Sequence, residues 1–209
     1  MSEERIFQIM STDFEVDHKQ RATAYKRLVA LVKNHGIGVI RSMDDRYKYG
    51  WNGKQFRIDE PARSTSMRAL GDLAHEFAHF LCASPARRYH LEFGLGQGFS
   101  TSGTEAKELT SSEVIQTEEN CACVLAAIML NHLGIPNLKE SIWVNFLWYD
   151  GFKTTCPPKW SQWVAAGEID YIVRTLLTWG VIDADMNPTF KAREIIEDPR
   201  HFTLQSSAA

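Results

Sequence analysis

The sequence predicts an α+β fold in which a small sheet with a hairpin packs on two helices bearing metal-ligand residues, followed by further helices. Three observations carry this. The run His75-Glu76-Phe77-Ala78-His79 spells H-E-x-x-H inside an apolar helical pattern. Two strand-like runs flank the dipeptide Asn52-Gly53, the strongest short-range hairpin signal. A second helical run opens on Glu118-Glu119 and continues with alanines and aliphatic residues at helical spacing.

At 209 residues the chain is long enough for one domain with a substantial core. We divide it into a metal-binding core over residues 1–135 and a helical C-terminal extension over residues 136–209, packed on the same domain. A formal net charge of -3 with no basic block argues against nucleic acid or an anionic membrane surface as partner. No stretch reads as a signal peptide or a membrane-spanning helix. Cys82, Cys121, Cys123 and Cys156 fit no zinc-finger or C-x-x-C spacing. They read as buried thiols in a reducing compartment, and the expected location is cytoplasmic.

Residues 18–35 carry apolar side chains at Ala22, Tyr25, Leu28, Val29 and Val32, with basic residues between, which predicts an amphipathic helix ended by His35-Gly36. Residues 37–40 form a short buried strand. Residues 46–51 and 54–59 form the hairpin, closed by Pro61. Residues 64–66, Ser-Thr-Ser, supply candidate N-caps for the motif helix over residues 67–81. Residues 94–112 are rich in Gly, Ser and Thr, a loop that is a candidate rim or flap. Thr117 caps the next helix, residues 118–133, whose core stripe is Ala122, Leu125, Ala126 and Met129. Helical patterns over residues 138–149 and 160–179 precede a polar, turn-rich tail.

On a helix, residues four apart share a face, so His75 and His79 can grip one ion and Glu76 stands beside its open side. Chance would place this pattern in about two of a hundred such chains. Its setting adds weight: two histidines and a glutamate in a largely buried helix need partners, and a metal is one. A catalytic zinc takes three protein ligands. Glu119 is the favoured third, with Glu118 and Glu113 as rivals. The alternative for Glu118 and Glu119 is a carboxylate pair in a helix's first turn, favoured by the macrodipole. His90 is a further candidate ligand, although a lone histidine in a loop is more often a surface group.

The order helix, strands with hairpin, motif helix and acidic helix is similar to the zincin fold. Such folds often hold an extended substrate on the edge strand before the motif helix, here residues 54–59. The run Glu119-Asn-Cys-Ala-Cys-Val-Leu-Ala126 resembles the glutamate helix of the ImmA/IrrE-type metallopeptidases, E-x-x-A-x-x-F-A. That resemblance implies a gluzincin site with Glu119 as ligand. The stretch from His75 to Gly94, with Ala86-Arg87-Arg88 and Glu92-Phe93-Gly94, resembles the bacterial elongation factor P hydroxylases. In that register Glu113 would be the ligand.

Two histidines and a carboxylate serve two reactions. With zinc, Glu76 takes a proton from a water that attacks an amide carbonyl. With iron(II), the same triad is the facial arrangement of non-haem oxygenases. The expectation is a metal-dependent enzyme acting on a peptide or protein, with hydrolysis ahead of hydroxylation. A zincin-like binding or structural module is the third reading. Arg87 and Arg88 are candidates to clamp a substrate carboxylate or hold the third ligand. Their structural alternative is to satisfy the last carbonyls of the motif helix, with Glu92 paired to one of them. Tyr149 and His132 are candidate oxyanion stabilisers. The tryptophans read mostly as core of the C-terminal helices.

Overall fold

The computed structural model describes residues 18–42, 50–59, 67–96, 106–135 and 168–196. Over these residues four helices and a two-stranded sheet make an α+β fold. Helix α1 spans His18–Asn34 and buries Ala24, Tyr25, Leu28 and Val32, one helical stripe. Gly36 ends it at φ 74, donating to the Lys33 carbonyl over 2.9 Å.

Strand β1 (Gly38–Ser42) runs parallel to β2 (Gln55–Asp59), with Gly38 opposite Gln55 and Ser42 opposite Asp59. The Asn52-Gly53 turn forms as expected. The Asn52 side-chain oxygen accepts from the backbone N–H groups of Lys54 (3.0 Å) and Gln55 (2.8 Å), and Gly53 takes φ 89. Trp51 bridges Phe56 in antiparallel sense, and the Arg57 N–H donates to the Gly50 carbonyl over 2.8 Å. Residues 46–49 of the first expected hairpin strand lie outside the described residues. One expectation is corrected here. From Gln55 to Arg57 the strand is paired with β1 on one side and with Gly50-Trp51 on the other, so this stretch is not an open edge for a peptide.

Helix α2 spans Met67–Cys82 and carries the motif. It is buried over Leu70, Leu73, Ala74, Phe77, Ala78 and Leu81. Helix α3 spans Ser112–His132 and starts six residues before the expected Glu118. Its N-cap is Ser111, whose hydroxyl accepts from the Val114 N–H, rather than Thr117. The physical reason lies in the site: Glu118 and Glu119 occupy buried positions, so they interrupt the apolar stripe that would have joined Ile115 to Ala122. From Cys121 to Leu130 α3 is buried on every side.

Helix α4 spans Glu168–Thr178 and sets Ile172, Val173 and Leu176 in the same core as α2 and α3. The expected helix over residues 138–149, residues 160–167, and Tyr149, Trp143, Trp148, Trp160, Trp163 and Cys156 lie outside the described residues. After α4 the chain doubles back, and the Arg193 N–H donates to the Leu81 carbonyl over 2.8 Å, at the C-terminal end of the motif helix. The Arg193 guanidinium lies 4.2 Å from the centre of the Trp179 ring. Among the described residues, no helix is long and apolar enough to cross a membrane.

Candidate metal centre

Helices α2 and α3 cross with His75 and His79 facing Glu119. The Nε2 atoms of the two histidines lie 3.0 Å apart. Glu119 reaches both, Oε1 to His75 Nε2 at 3.2 Å and Oε2 to His79 Nε2 at 3.1 Å. This triangle cannot be closed by hydrogen bonds alone. Each Nε2 carries at most one proton, and if both point at Glu119 the two nitrogens are left in unrelieved contact. A single cation satisfies all three pairs. Metal–nitrogen bonds of about 2.0–2.1 Å imply ligand–ligand edges of roughly 2.8–3.4 Å, spanning octahedral and tetrahedral geometry. The observed edges fall in that window, so the donor set fits a divalent metal without choosing its coordination number.

The two rings are oriented by different means. His79 stacks on Phe93, with centroids 5.5 Å apart and planes inclined by 22°. Phe93 stacks in turn on Trp51 at 5.4 Å. His75 has its other nitrogen, Nδ1, 3.8 Å from the Cys123 sulfur. Phe93 and its neighbour Glu92 hold left-handed backbone angles, φ 53 and 47, a strained turn that packs Phe93 against the histidine. Glu92 pins the turn by accepting the Trp51 N–H at 2.8 Å, while its own N–H donates to the Trp51 carbonyl.

Glu76 is half-buried beside this pair, and its Oε2 is sealed from solvent with no hydrogen-bond partner. Its carboxyl packs against Gly50, where a Cβ would overlap it. Burial pushes Glu76 well above the usual carboxylate range, and the charge of Glu92 adds to that. Burial likewise lifts Glu92 to about 8, against the pull of the Trp51 and Gly50 N–H groups. Burial alone would also raise Glu119, but the charges of His79 and His75 hold it well below the ordinary range. For His75 burial acts downward and the Glu119 bond and charge outweigh it, leaving it raised. The carboxyls of Glu76, Glu92 and Glu119 thus cluster around two imidazoles, a set of donors that suits a cation.

The other sequence candidates lie elsewhere. Glu118 points to Arg87, and the two fully buried side chains form an ion pair, while Glu119 meets the two histidines. Glu113 sits exposed in the first turn of α3. His90 is exposed and precedes the short 3-10 turn Leu91–Gly94. Arg87 also donates to the Phe93 carbonyl over 2.7 Å. Arg88 donates to the carbonyls of Phe80 (3.2 Å), Ala83 (3.1 Å) and Arg193. Arg88 therefore braces the end of α2, whereas Arg87 ties Glu118 of α3 to the turn at Phe93. Glu92 pairs with backbone N–H groups, not with an arginine. His132 is exposed on the last turn of α3, in edge contact with Phe190. Cys123, Gly50 and Glu92 escaped the sequence reading as parts of the centre. Only Cys123 left a signal, standing four residues after Glu119 and so on the same face of α3. No family model, curated protein or solved structure matches the chain.

Proposed function

We propose that this protein is a zincin-like, metal-dependent hydrolase of a peptide or protein, with His75, His79 and Glu119 as zinc ligands and Glu76 as general base. The observation that carries the reading is the triangle of His75 Nε2, His79 Nε2 and the Glu119 carboxylate, with edges of 3.0–3.2 Å. Zinc held there would acidify a water and polarise the scissile carbonyl. Glu76 is suited to take the water's proton and pass it to the leaving amine, because burial and the neighbouring Glu92 raise its proton affinity. Phe93 and Trp51 wall one side of His79 and exclude water from it.

A second reading, an iron(II) protein hydroxylase, is favoured by one observation. The Glu92-Phe93-Gly94 run that resembles the hydroxylases packs against His79 and Trp51 at the centre itself. The donor set is the same in both readings.

The test is elemental analysis of protein purified without added metal, beside His79→Ala. One equivalent of zinc in the wild type, lost in the variant, is expected, followed by cleavage in a peptide-library screen. Iron in its place would move the conclusion to oxygenation. No metal in either protein would leave a binding module.

On a peptide found in that screen, Gly50→Ala is expected to lower kcat by about 100-fold with metal content unchanged. The added methyl displaces the Glu76 carboxyl, and a shift of about 1 Å costs on that scale. Unchanged kcat would mean that the Glu76 carboxyl is not held against Gly50 during turnover.

A further inference from the structure

The α2–α3 crossing presents four side chains, two from each helix at a spacing of four: His75 and His79 from one, Glu119 and Cys123 from the other. The sulfur of Cys123 and donor atoms of His75 and Glu119 all lie within 4.8 Å of one another. The hydrogen-bond contact of Cys123 is nevertheless not with Nε2. The sulfur meets His75 at Nδ1, on the other side of the ring, at 3.8 Å. An imidazole that ligates through Nε2 carries its proton on Nδ1, and that proton needs an acceptor to fix the tautomer and the ring plane. His79 has no such acceptor: its Nδ1 is buried without a hydrogen-bond partner, and stacking on Phe93 orients it instead.

We propose that Cys123 is a positioning residue of the metal centre, its sulfur accepting the Nδ1 proton of His75 so that Nε2 is presented to the cation. The inference rests on the metal-site reading above. Cys123 is 1% exposed at the helix crossing, so its sulfur meets the ring away from bulk solvent. A thiol sulfur is a weak acceptor, so the ring is held more loosely than by a carboxylate.

The experiment measures the affinity of the metal-stripped full chain for Co²⁺ and Zn²⁺ by competition with a chromophoric chelator. It compares wild type, Cys123→Ala, Cys123→Ser and Cys121→Ala, and records the Co²⁺ spectrum of each. Cys121 is a buried cysteine of the same helix, so its variant reports the effect of thiol loss on packing alone. Cys123→Ala is expected to bind either metal about 10- to 100-fold more weakly. Cys123→Ser, which keeps an acceptor, should recover part of that affinity, and Cys121→Ala should bind like wild type. The wild-type Co²⁺ complex should lack a sulfur-to-metal charge-transfer band.

Wild-type affinity in Cys123→Ala would overturn the proposal, as would an equal loss in Cys121→Ala. A charge-transfer band that vanishes with Cys123 would overturn it in favour of direct ligation. Should Cys123→Ala fail to fold, Cys123→Ser decides: affinity equal to or modestly below wild type supports the role, and complete loss of binding opposes it. Failure of the underlying reading is separate, appearing as wild type and His79→Ala that bind Co²⁺ alike.

Discussion

Glu76→Gln is expected to keep one equivalent of metal while hydrolysis falls by about 100- to 10,000-fold, the contribution of a positioned proton acceptor. Metal should stay because the Glu76 carboxyl is not part of the triangle, whose three corners belong to His75, His79 and Glu119. Turnover should fall because an amide of the same shape cannot accept the water's proton at neutral pH. The metal-free variant is also expected to unfold no more easily than the wild type. Glu76 lies half-buried near Glu92 and Glu119, and losing a carboxyl there removes repulsion and desolvation cost. Metal analysis, single-turnover cleavage and chemical denaturation read the three effects separately. Full activity in the variant would sink the hydrolytic mechanism and leave the metal site intact.

The α+β class and the motif helix were legible because they rest on local signals. H-E-x-x-H sits in a continuous apolar pattern, and Asn52-Gly53 supplies the turn with its own side chain. What was not legible depends on long-range packing. The parallel pairing of β2 with β1 joins segments separated by the twelve residues 43–54 and has no local cue. Glu118 and Glu119 are adjacent and differ only by the turn of the helix between them. Which of them meets α2 and which meets Arg87 is decided by how α3 lies across α2, a property of the packed pair. The same two residues hid the start of α3, because they set buried polar groups where the helical pattern calls for apolar ones. Gly50 is the extreme case. Its absent side chain makes room for the Glu76 carboxyl, and a glycine 26 positions earlier in the chain announces nothing of the kind.

Arg87→Met is expected to destabilise the protein by about 3–5 kcal/mol, the cost of leaving a buried charge without its partner. Both Arg87 and Glu118 are 0% exposed, so no solvent screens the ion pair or takes over when one partner is removed. The guanidinium also donates to the carbonyl of Phe93, the ring that stacks on His79. Through these two contacts Arg87 ties α3, one residue from Glu119, to the strained turn that packs against His79. Metal affinity should therefore fall along with stability. The double variant Arg87→Met/Glu118→Gln removes both charges and is expected to recover much of the lost stability, since replacing an entire buried pair is far less costly than halving it. Denaturant titration of the two single variants and the double closes the cycle. A single variant that unfolds like the wild type would mean that the pair contributes little to the fold.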